Sequence, residues 1–171
     1  KPNLSPWKKI TKITLNTKKF VNIAIIGKYV NLKDAYKSLD EALIHGGISN
    51  KIKVNLVRIE SDKLKVNEIK KKLKNVSGLL IPGGFGKRGT EGKISAIKIA
   101  RENNIPFLGI CFGMQMAILE FARNILKIKK AGSSELDKNC YPVIGLITEW
   151  NKNGKIIKGT DKNLGGTMRL G

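Results

Sequence analysis

Short apolar runs alternate with longer amphipathic segments along most of the chain. The apolar runs predict buried strands over residues 21–27, 53–59, 78–81, 106–110 and 143–148. The segments between them carry apolar residues at helical spacing and predict helices over residues 35–45, 63–74, 91–104 and 112–123. Strands and helices that alternate in this way predict an α/β fold with a parallel sheet.

The two ends of the chain have a different pattern. Residues 1–19 are polar and basic with two prolines, and predict a linker or an extended arm ahead of a domain over 20–171. The segment after Trp150 is rich in turn residues, and we expect the sheet not to be completed before Gly171. Because the chain also begins without Met, we expect it to be a piece of a longer protein.

Specific residues predict where the first helix begins and ends. Asp34 stands directly before the helical pattern, where its side chain would cap the first turn. Gly46 and Gly47 follow the last patterned residue, where glycine commonly ends a helix. His45, the single histidine of the chain, then falls at the solvated end of this helix.

The charge of the chain changes this picture little. Lys and Arg total 33 against 13 acidic residues, a net charge of +20, which raises the question of nucleic-acid binding. Only five of the basic residues are Arg, and the lysines are spread along the whole chain. Lys, Ile and Asn are all frequent and share A/T-rich codons, so genome composition accounts for the charge. We therefore expect no nucleic-acid partner.

Other function classes are excluded by run lengths and cysteine spacing. No apolar run approaches the roughly 18–20 residues of a membrane span, so no membrane partner is expected. Cys111 and Cys140 are too few for a disulfide scaffold, and no CxxC or His/Cys cluster suggests a metal site. The expected location is cytoplasmic.

The segment 105–115 (IPFLGICFGMQ) carries the strongest chemical signal. Gly109 and Gly113 flank Cys111 between a predicted strand and a predicted helix, which is the pattern of a nucleophile elbow with sulfur in place of a serine hydroxyl. A tight turn of this kind strains its central residue, and the helix N-terminus favours a thiolate. The sequence therefore predicts Cys111 as a nucleophile.

An oxyanion hole and a base would complete such a site. The backbone N–H of Phe112 supplies one oxyanion donor, and the glycine-rich segment 82–86 is suited to supply a second. A base is missing, because the helix of His45 leads away from the strand ends where Cys111 lies. We expect Cys140 to be a core residue.

Several segments resemble one known family. GICFGMQ and IPGGFGKRG are similar to the class I (triad) glutamine amidotransferases, which implies a three-layer, flavodoxin-like fold. Four segments resemble, more narrowly, the C-terminal glutaminase domain of the CTP synthases. In order they are YVNLKDAYKSLDEALIHGG, RENNIPFLGICFGMQ, VIGLITEW and LGGTMRLG, and together with the linker they span Leu4 to Gly171.

The resemblance implies a role for each matched residue. Cys111 would attack the side-chain amide of L-glutamine to give a thioester and ammonia, with Gly83 and Phe112 at the oxyanion hole. Arg88 falls in a lid-like segment that the family links to activation by GTP. The expected glutamine-binding residues are Gly84, Phe85, Gly113, Met114, Gln115 and Glu135, the last holding the substrate's amino group.

The resemblance also implies partners outside this chain. Ammonia would pass to an N-terminal synthetase domain that uses ATP and Mg²⁺ to convert UTP to CTP, in a homotetramer. No cofactor or metal is expected in the glutaminase domain itself. The family's triad His and Glu, and an arginine that contacts glutamine, lie beyond the position that matches Gly171. We therefore expect the 171-residue chain alone to be inactive.

Two other readings of the same elbow remain open. A cysteine peptidase or another hydrolase of this superfamily would need a histidine soon after Cys111, and the sequence has none there. A non-catalytic homologue retained for binding or assembly is the main alternative. The intact Cys111 and glycine-rich segment argue against such decay.

Overall fold

The structure is a computed structural model that describes residues 2–30, 32, 34–62, 65–145 and 149–159. Its centre is a parallel sheet in the strand order β2-β1-β3-β4. The strands are β1 (Phe20–Gly27), β2 (Lys53–Glu60), β3 (Gly78–Ile81) and β4 (Phe107–Gly109). Four of the predicted strands are thereby confirmed within one or two residues of their ends, and the order is that of flavodoxin-like folds.

Helices cover both faces of this sheet. They are α1 (Ser5–Asn16), α2 (Lys37–Ser49), α3 (Val66–Leu73), α4 (Thr90–Glu102) and α5 (Phe112–Asn124). Contacts join α3 to α4 and α4 to α5, whereas α2 contacts α1 and β2. Right-handed crossovers put α3 and α4 on the opposite face of the sheet from α2. The expected arrangement of a parallel sheet flanked by helices is confirmed.

The core lies between the sheet and the α3–α4–α5 layer. The strands read as continuous apolar runs because both of their faces are covered, and β3 is buried over its whole length. In α4, buried residues recur on the face toward the sheet, and α5 buries Phe112, Met116 and Leu119.

The remaining strands form two small sheets. β5 (Ala131–Ser133) and β6 (Tyr141–Ile144) pair in parallel and pack on α5, and β7 (Glu149–Lys152) with β8 (Lys155–Lys158) forms a hairpin. The strand predicted over 143–148 is shifted, because β6 already begins at Tyr141 beside β5. Residues 146–148 lie outside the described part of the chain, as does 160–171.

Two local predictions are wrong. The expected extended arm contains the helix α1, whose first turn starts at Ser5-Pro6. Proline is well tolerated there because its missing N–H has no partner in a first helical turn. Whether 1–19 links two domains stays a prediction.

The ends of α2 also differ from the prediction. Tyr36, not Asp34, is the N-cap residue, and no side chain caps the helix. The helix continues through Gly47 to Ser49. Gly47 is buried, and a Cβ at this position would lie 2.7 Å from the carbonyl oxygen of Ile52. Close packing against β2, not helix termination, explains Gly47.

One flank of the sheet is open among the described residues. Leu108 on β4 and Met114, Ile118 and Phe121 on α5 are each about half exposed. Within the described ranges, no helix is both long enough and apolar enough to cross a membrane.

Candidate functional site

The carboxyl ends of the four parallel strands meet at one edge of the sheet. Lys28 follows β1, Asp62 follows β2, the segment 82–86 follows β3 and Cys111 follows β4. The order β2-β1-β3-β4 reverses direction between β1 and β3, and ligands of such sheets bind at this reversal. The chemistry-bearing residues are therefore gathered where the fold itself favours a site.

Cys111 occupies a strained turn between β4 and α5. Its backbone has φ 51° and ψ −104°, and it is the N-cap residue of α5. A Cβ on Gly109 would lie 2.6 Å from the backbone carbon of Gly113, and one on Gly113 would collide with the carbonyl oxygen of Ile81. Only glycine fits on either side of the cysteine, as the elbow pattern predicts. The Cys111 residue is exposed and its thiol is free.

The glycine-rich segment lies beside this cysteine. An ideal Cβ at Gly83 would be 3.8 Å from the Cβ of Cys111. On the other side, Phe112 is the first residue of α5, and the geometry of a helix leaves its N–H without an intrahelical acceptor. The next N–H, of Gly113, donates to Ile110 O at 2.9 Å. Gly83 and Phe112 thus lie on the two sides of Cys111.

A cleft of about 320 Å³ opens next to Gly83. It lies between that glycine and the start of α2, and Ile110 and Leu39 contribute apolar walls. Asp34 and Ser38 add polar groups. A volume of this size accommodates a small polar molecule such as an amino acid.

Lys28 holds the glycine-rich segment and was not predicted from the sequence. Its ammonium donates to the carbonyl oxygen of Phe85 and, at 3.0 Å, to that of Gly86. Burial and the nearby Arg88 lower the pKa of Lys28 from its usual value. Asp62 partly opposes them. The available signal was its position, because Lys28 directly follows the strand that ends at Gly27.

Arg88 is tied to the end of β2. Its guanidinium pairs with Asp62 at 3.0 Å and lies 5.8 Å from the centre of the Tyr29 ring. Gly89 follows with φ 73°, and a Cβ there would lie 2.9 Å from the Asp62 carboxylate. The arginine side chain remains 59% exposed, so it is accessible to an anion at the rim of the site.

Lys93 is a second residue that the sequence analysis missed. It is only 1% exposed, and its ammonium lies 4.9 Å from the centre of the Phe112 ring. Burial lowers its pKa to about 8, nearby Lys28 acts in the same direction, and Asp62 partly opposes both. Lys93 lies four residues before the buried Ile97 and therefore on the apolar face of α4. This spacing was the sequence signal that could have indicated its burial.

The other predicted binding residues are less closely grouped. Met114 is exposed on α5, and the half-buried Gln115 donates its backbone N–H to Cys111 O at 3.1 Å. Phe85 is 45% exposed beside Lys28. Glu135 lies on the exposed turn after β5, where the described residues bring it into no hydrogen bond or ion pair with the elbow.

Two residues predicted to lie outside the chemistry can also be located. His45 lies on the second half of α2, which runs away from the carboxyl edge of the sheet. Cys140 is half-buried against Gly132 and faces a surface cavity, so it is not the core residue that we expected. Within the described ranges, no three His, Cys, Asp or Glu side chains form a group that could hold a metal ion.

The family assignment follows from comparison with known proteins. Residues 31–171 match the family model described as "Glutamine amidotransferase class-I". The chain therefore belongs to the class I glutamine amidotransferase family.

Within this family, the chain is similar, more narrowly, to proteins named CTP synthase. CTP synthase of Pelagibacter ubique (strain HTCC1062) is 78% identical over 169 residues, which are 99% of this chain and 31% of that protein. CTP synthase of Zymomonas mobilis subsp. mobilis (strain ATCC 31821 / ZM4 / CP4) is 52% identical over 172 residues, 32% of its length. The chain thus spans about a third of the length of these relatives.

A solved structure gives the same answer. The structure "Trypanosoma brucei CTPS - glutaminase domain with bound acivicin" is 35% identical and has a TM-score of 0.70. The match covers 74% of this chain and 50% of that one. The resemblance to the glutaminase domain of CTP synthases, predicted from four short segments, is confirmed.

Proposed function

We propose that this chain carries the glutamine-hydrolysing site of a CTP synthase, with Cys111 as the nucleophile. One observation carries the proposal: an exposed, strained cysteine is the N-cap residue of α5, with the Gly83 backbone beside it. Strain of about 1–3 kcal/mol at a single residue is a frequent property of catalytic turns. The family and its relatives support glutamine as the substrate.

The proposed reaction begins with attack of the Cys111 thiolate on the side-chain amide carbon of glutamine. The carbonyl electron pair moves to oxygen, and the backbone N–H groups of Gly83 and Phe112 stabilise that oxyanion. The base that took the Cys111 proton returns it to the nitrogen. The carbonyl then re-forms, the C–N bond breaks, ammonia leaves, and a γ-glutamyl thioester remains on sulfur. Water then adds to the thioester through a second oxyanion at the same donors, the C–S bond breaks, and L-glutamate and the Cys111 thiolate are released.

The rest of the substrate would be held around the cleft beside Gly83. We assign the contacts with glutamine to residues on the glycine-rich segment, on α5 and on the turn after β5. Glu135 is the carboxylate suited to the substrate's ammonium group. The others are Gly84, Phe85, Gly113, Met114 and Gln115.

Other parts of the reaction belong outside this chain. We propose that ammonia passes to a synthetase domain, which uses ATP and Mg²⁺ to aminate UTP, and that the whole enzyme is a homotetramer. The exposed Arg88, beside the Tyr29 ring, offers the cation and aromatic surface that GTP would need as an activator. Because His45 lies on α2 away from Cys111, we assign the triad base to residues that follow Gly171.

Covalent labelling of Cys111 tests this proposal on the 171-residue chain itself. The probe is acivicin, the compound named with the Trypanosoma brucei glutaminase domain. We expect one equivalent of label at Cys111 by peptide mass spectrometry. L-glutamine should protect against it and D-glutamine should not, and Cys111→Ser should abolish it.

Cys140 provides the matched control, because it is the second free thiol and is less exposed. Cys140→Ser should leave labelling of Cys111 unchanged. Equal labelling of both thiols without protection by L-glutamine would overturn the proposal in favour of a non-catalytic module. Steady ammonia release by the 171-residue chain alone would contradict the assignment of the base to a segment outside it.

A further inference from the structure

Lys93 combines burial with charge at a position next to the nucleophile turn. It lies at the end of the first turn of α4, and its backbone N–H donates to Gly89 O at 3.2 Å. Its ammonium lies 4.9 Å from the centre of the Phe112 ring, which is itself 2% exposed. Since Phe112 directly follows Cys111, this cation packs on the residue whose N–H begins α5.

A purely structural role does not explain a lysine here. The neighbouring positions on this face of α4 are Ile94 and Ile97, and an apolar side chain of similar length would fill the same volume without desolvating a charge. Within the described ranges, no carboxylate lies within 4 Å of the Lys93 ammonium. Among the residues that the structure describes, this interior cation therefore has no direct counter-ion.

The charged groups around Lys93 come from three elements. Lys28, after β1, places a second ammonium 5.9 Å from the centre of the same Phe112 ring. Asp62, after β2, is the acidic group on this side, and it is already bound by Arg88 at 3.0 Å. The net field at Phe112 is therefore positive, and it adds to the positive N-terminal end of α5.

We propose that Lys93 is a positioning residue for the oxyanion hole, acting through Phe112. Its ammonium fixes the Phe112 ring, and with it the direction of the Phe112 N–H, and supplies positive charge behind that donor. This inference rests on the proposed function, in which negative charge develops at the Phe112 N–H during attack by Cys111. A buried cation acts strongly there because little water screens it and because it is already in place before reaction.

The test separates oxyanion stabilisation from thiol reactivity by using two reagents on the 171-residue chain. The γ-p-nitrophenyl ester of L-glutamate acylates the thiolate through a tetrahedral oxyanion. The carbonyl then re-forms and p-nitrophenolate leaves with its electron pair, so no histidine is required. Iodoacetamide alkylates the same thiolate by direct displacement of iodide and forms no oxyanion. The ratio of the two rate constants at Cys111 cancels the thiolate fraction, and a change in this ratio in a variant that keeps the glutamine-binding residues reports the oxyanion hole.

We expect Lys93→Met to lower this ratio on the order of tenfold at pH 7, mainly through acylation. In the native chain the ratio should fall toward the variant's value as the pH rises through about 8, where the Lys93 ammonium loses its proton. In Lys93→Met the ratio should not change over that range. Lys93→Arg keeps the charge and should retain most of the ratio at high pH.

The control is Lys98→Met, which makes the same change at an exposed position of the same helix. It should leave the ratio unchanged. An unchanged ratio in Lys93→Met, with Cys111 still acylated, would overturn the role of Lys93 and leave the proposed function intact. Absence of ester acylation in the native chain, with normal alkylation by iodoacetamide, would instead overturn the proposed function.

Discussion

Cys111 adopts a backbone conformation that residues other than glycine rarely occupy, with φ 51° and ψ −104°. The surrounding structure imposes it, because Gly113 is packed against the Ile81 carbonyl and Gly109 against the start of α5. The strained turn leaves the thiol exposed above the sheet edge, where a substrate can reach it. The conformation of Cys111 therefore depends on both neighbouring glycines.

Lys93 gives a prediction about stability and pH. Its pKa is lowered from 10.5 to about 8 in the folded chain, so the buried ammonium opposes folding by about 3 kcal/mol at neutral pH. We expect Lys93→Met to raise the free energy of unfolding by up to about 3 kcal/mol at pH 7, measured by urea denaturation.

The sign of the pH dependence follows from the direction of the shift. Below pH 8 both states hold the proton and the penalty is fully present. Between pH 8 and 10.5 the native state has lost the proton and the unfolded state still holds it, so stability of the native chain rises with pH. The advantage of Lys93→Met should therefore shrink by pH 10. A variant less stable than the native chain at pH 7 would contradict this prediction.

At the scale of elements, α4 and α5 are joined by an ion pair as well as by apolar packing. Arg101 donates to Glu120 through Nε, at 3.2 and 3.1 Å, and through Nη2 at 2.8 Å. The Glu120 side chain is 2% exposed, whereas that of Arg101 is 35% exposed. The pair fixes how α5, and therefore the elbow at its start, lies against α4.

Removing one partner of this pair should be costly. Arg101→Met leaves the Glu120 carboxylate buried without its counter-ion, and we expect a loss of about 3 kcal/mol in the free energy of unfolding. Adding Glu120→Met to this variant should recover most of that loss, because the uncompensated charge is then gone. Chemical denaturation of the single and double variants measures both effects.

Glu102 offers the matched control for this experiment. It lies 3.9 Å from the same guanidinium but is 50% exposed, so Glu102→Gln should change stability by about 0.5 kcal/mol or less. Equal losses for Glu102→Gln and Arg101→Met would show that burial does not decide the strength of these pairs.

The limits of sequence pattern are visible in particular elements. β1, β3 and α5 could be predicted closely, because continuous apolar runs and helical spacing are local signals. The end of α2 could not, since Gly47 is a packing residue against β2 rather than a terminator. Lys28 and Lys93 were missed because they contact carbonyl groups and a ring that are distant in sequence.

On the scale of the whole molecule, parallel pairing decides where the chemistry lies. Four strands that point the same way bring Lys28, Asp62, Gly83 and Cys111 to one edge, although they span 84 positions of the sequence numbering. The helix α1 stands apart from this arrangement, because none of its residues is buried and its main contacts are with α2.

The position of α1 predicts that the sheet domain folds without it. Deleting residues 1–17 removes Ile13 from a small apolar groove on α2 but leaves β1 and the Lys19 carbonyl that accepts from Lys53 N–H. We expect the melting temperature to fall by less than about 3 °C, measured by circular dichroism. Ile26→Ala, a core truncation in β1, should lower it much further. Loss of cooperative unfolding on deletion would place the domain boundary before α1.

The sequence by itself determined the strained turn at Cys111 and the glycines that allow it, because Gly-x-Cys-x-Gly between a strand and a helix is a local signal. The sequence also determined the family, because four short segments that resemble it occur in a fixed order. Tertiary structure alone decided that Gly83 lies beside Cys111, that Lys28 holds the glycine-rich segment and that the Lys93 ammonium packs on Phe112. These contacts join residues on different strands and helices, so only the pairing and packing of the sheet could bring them together.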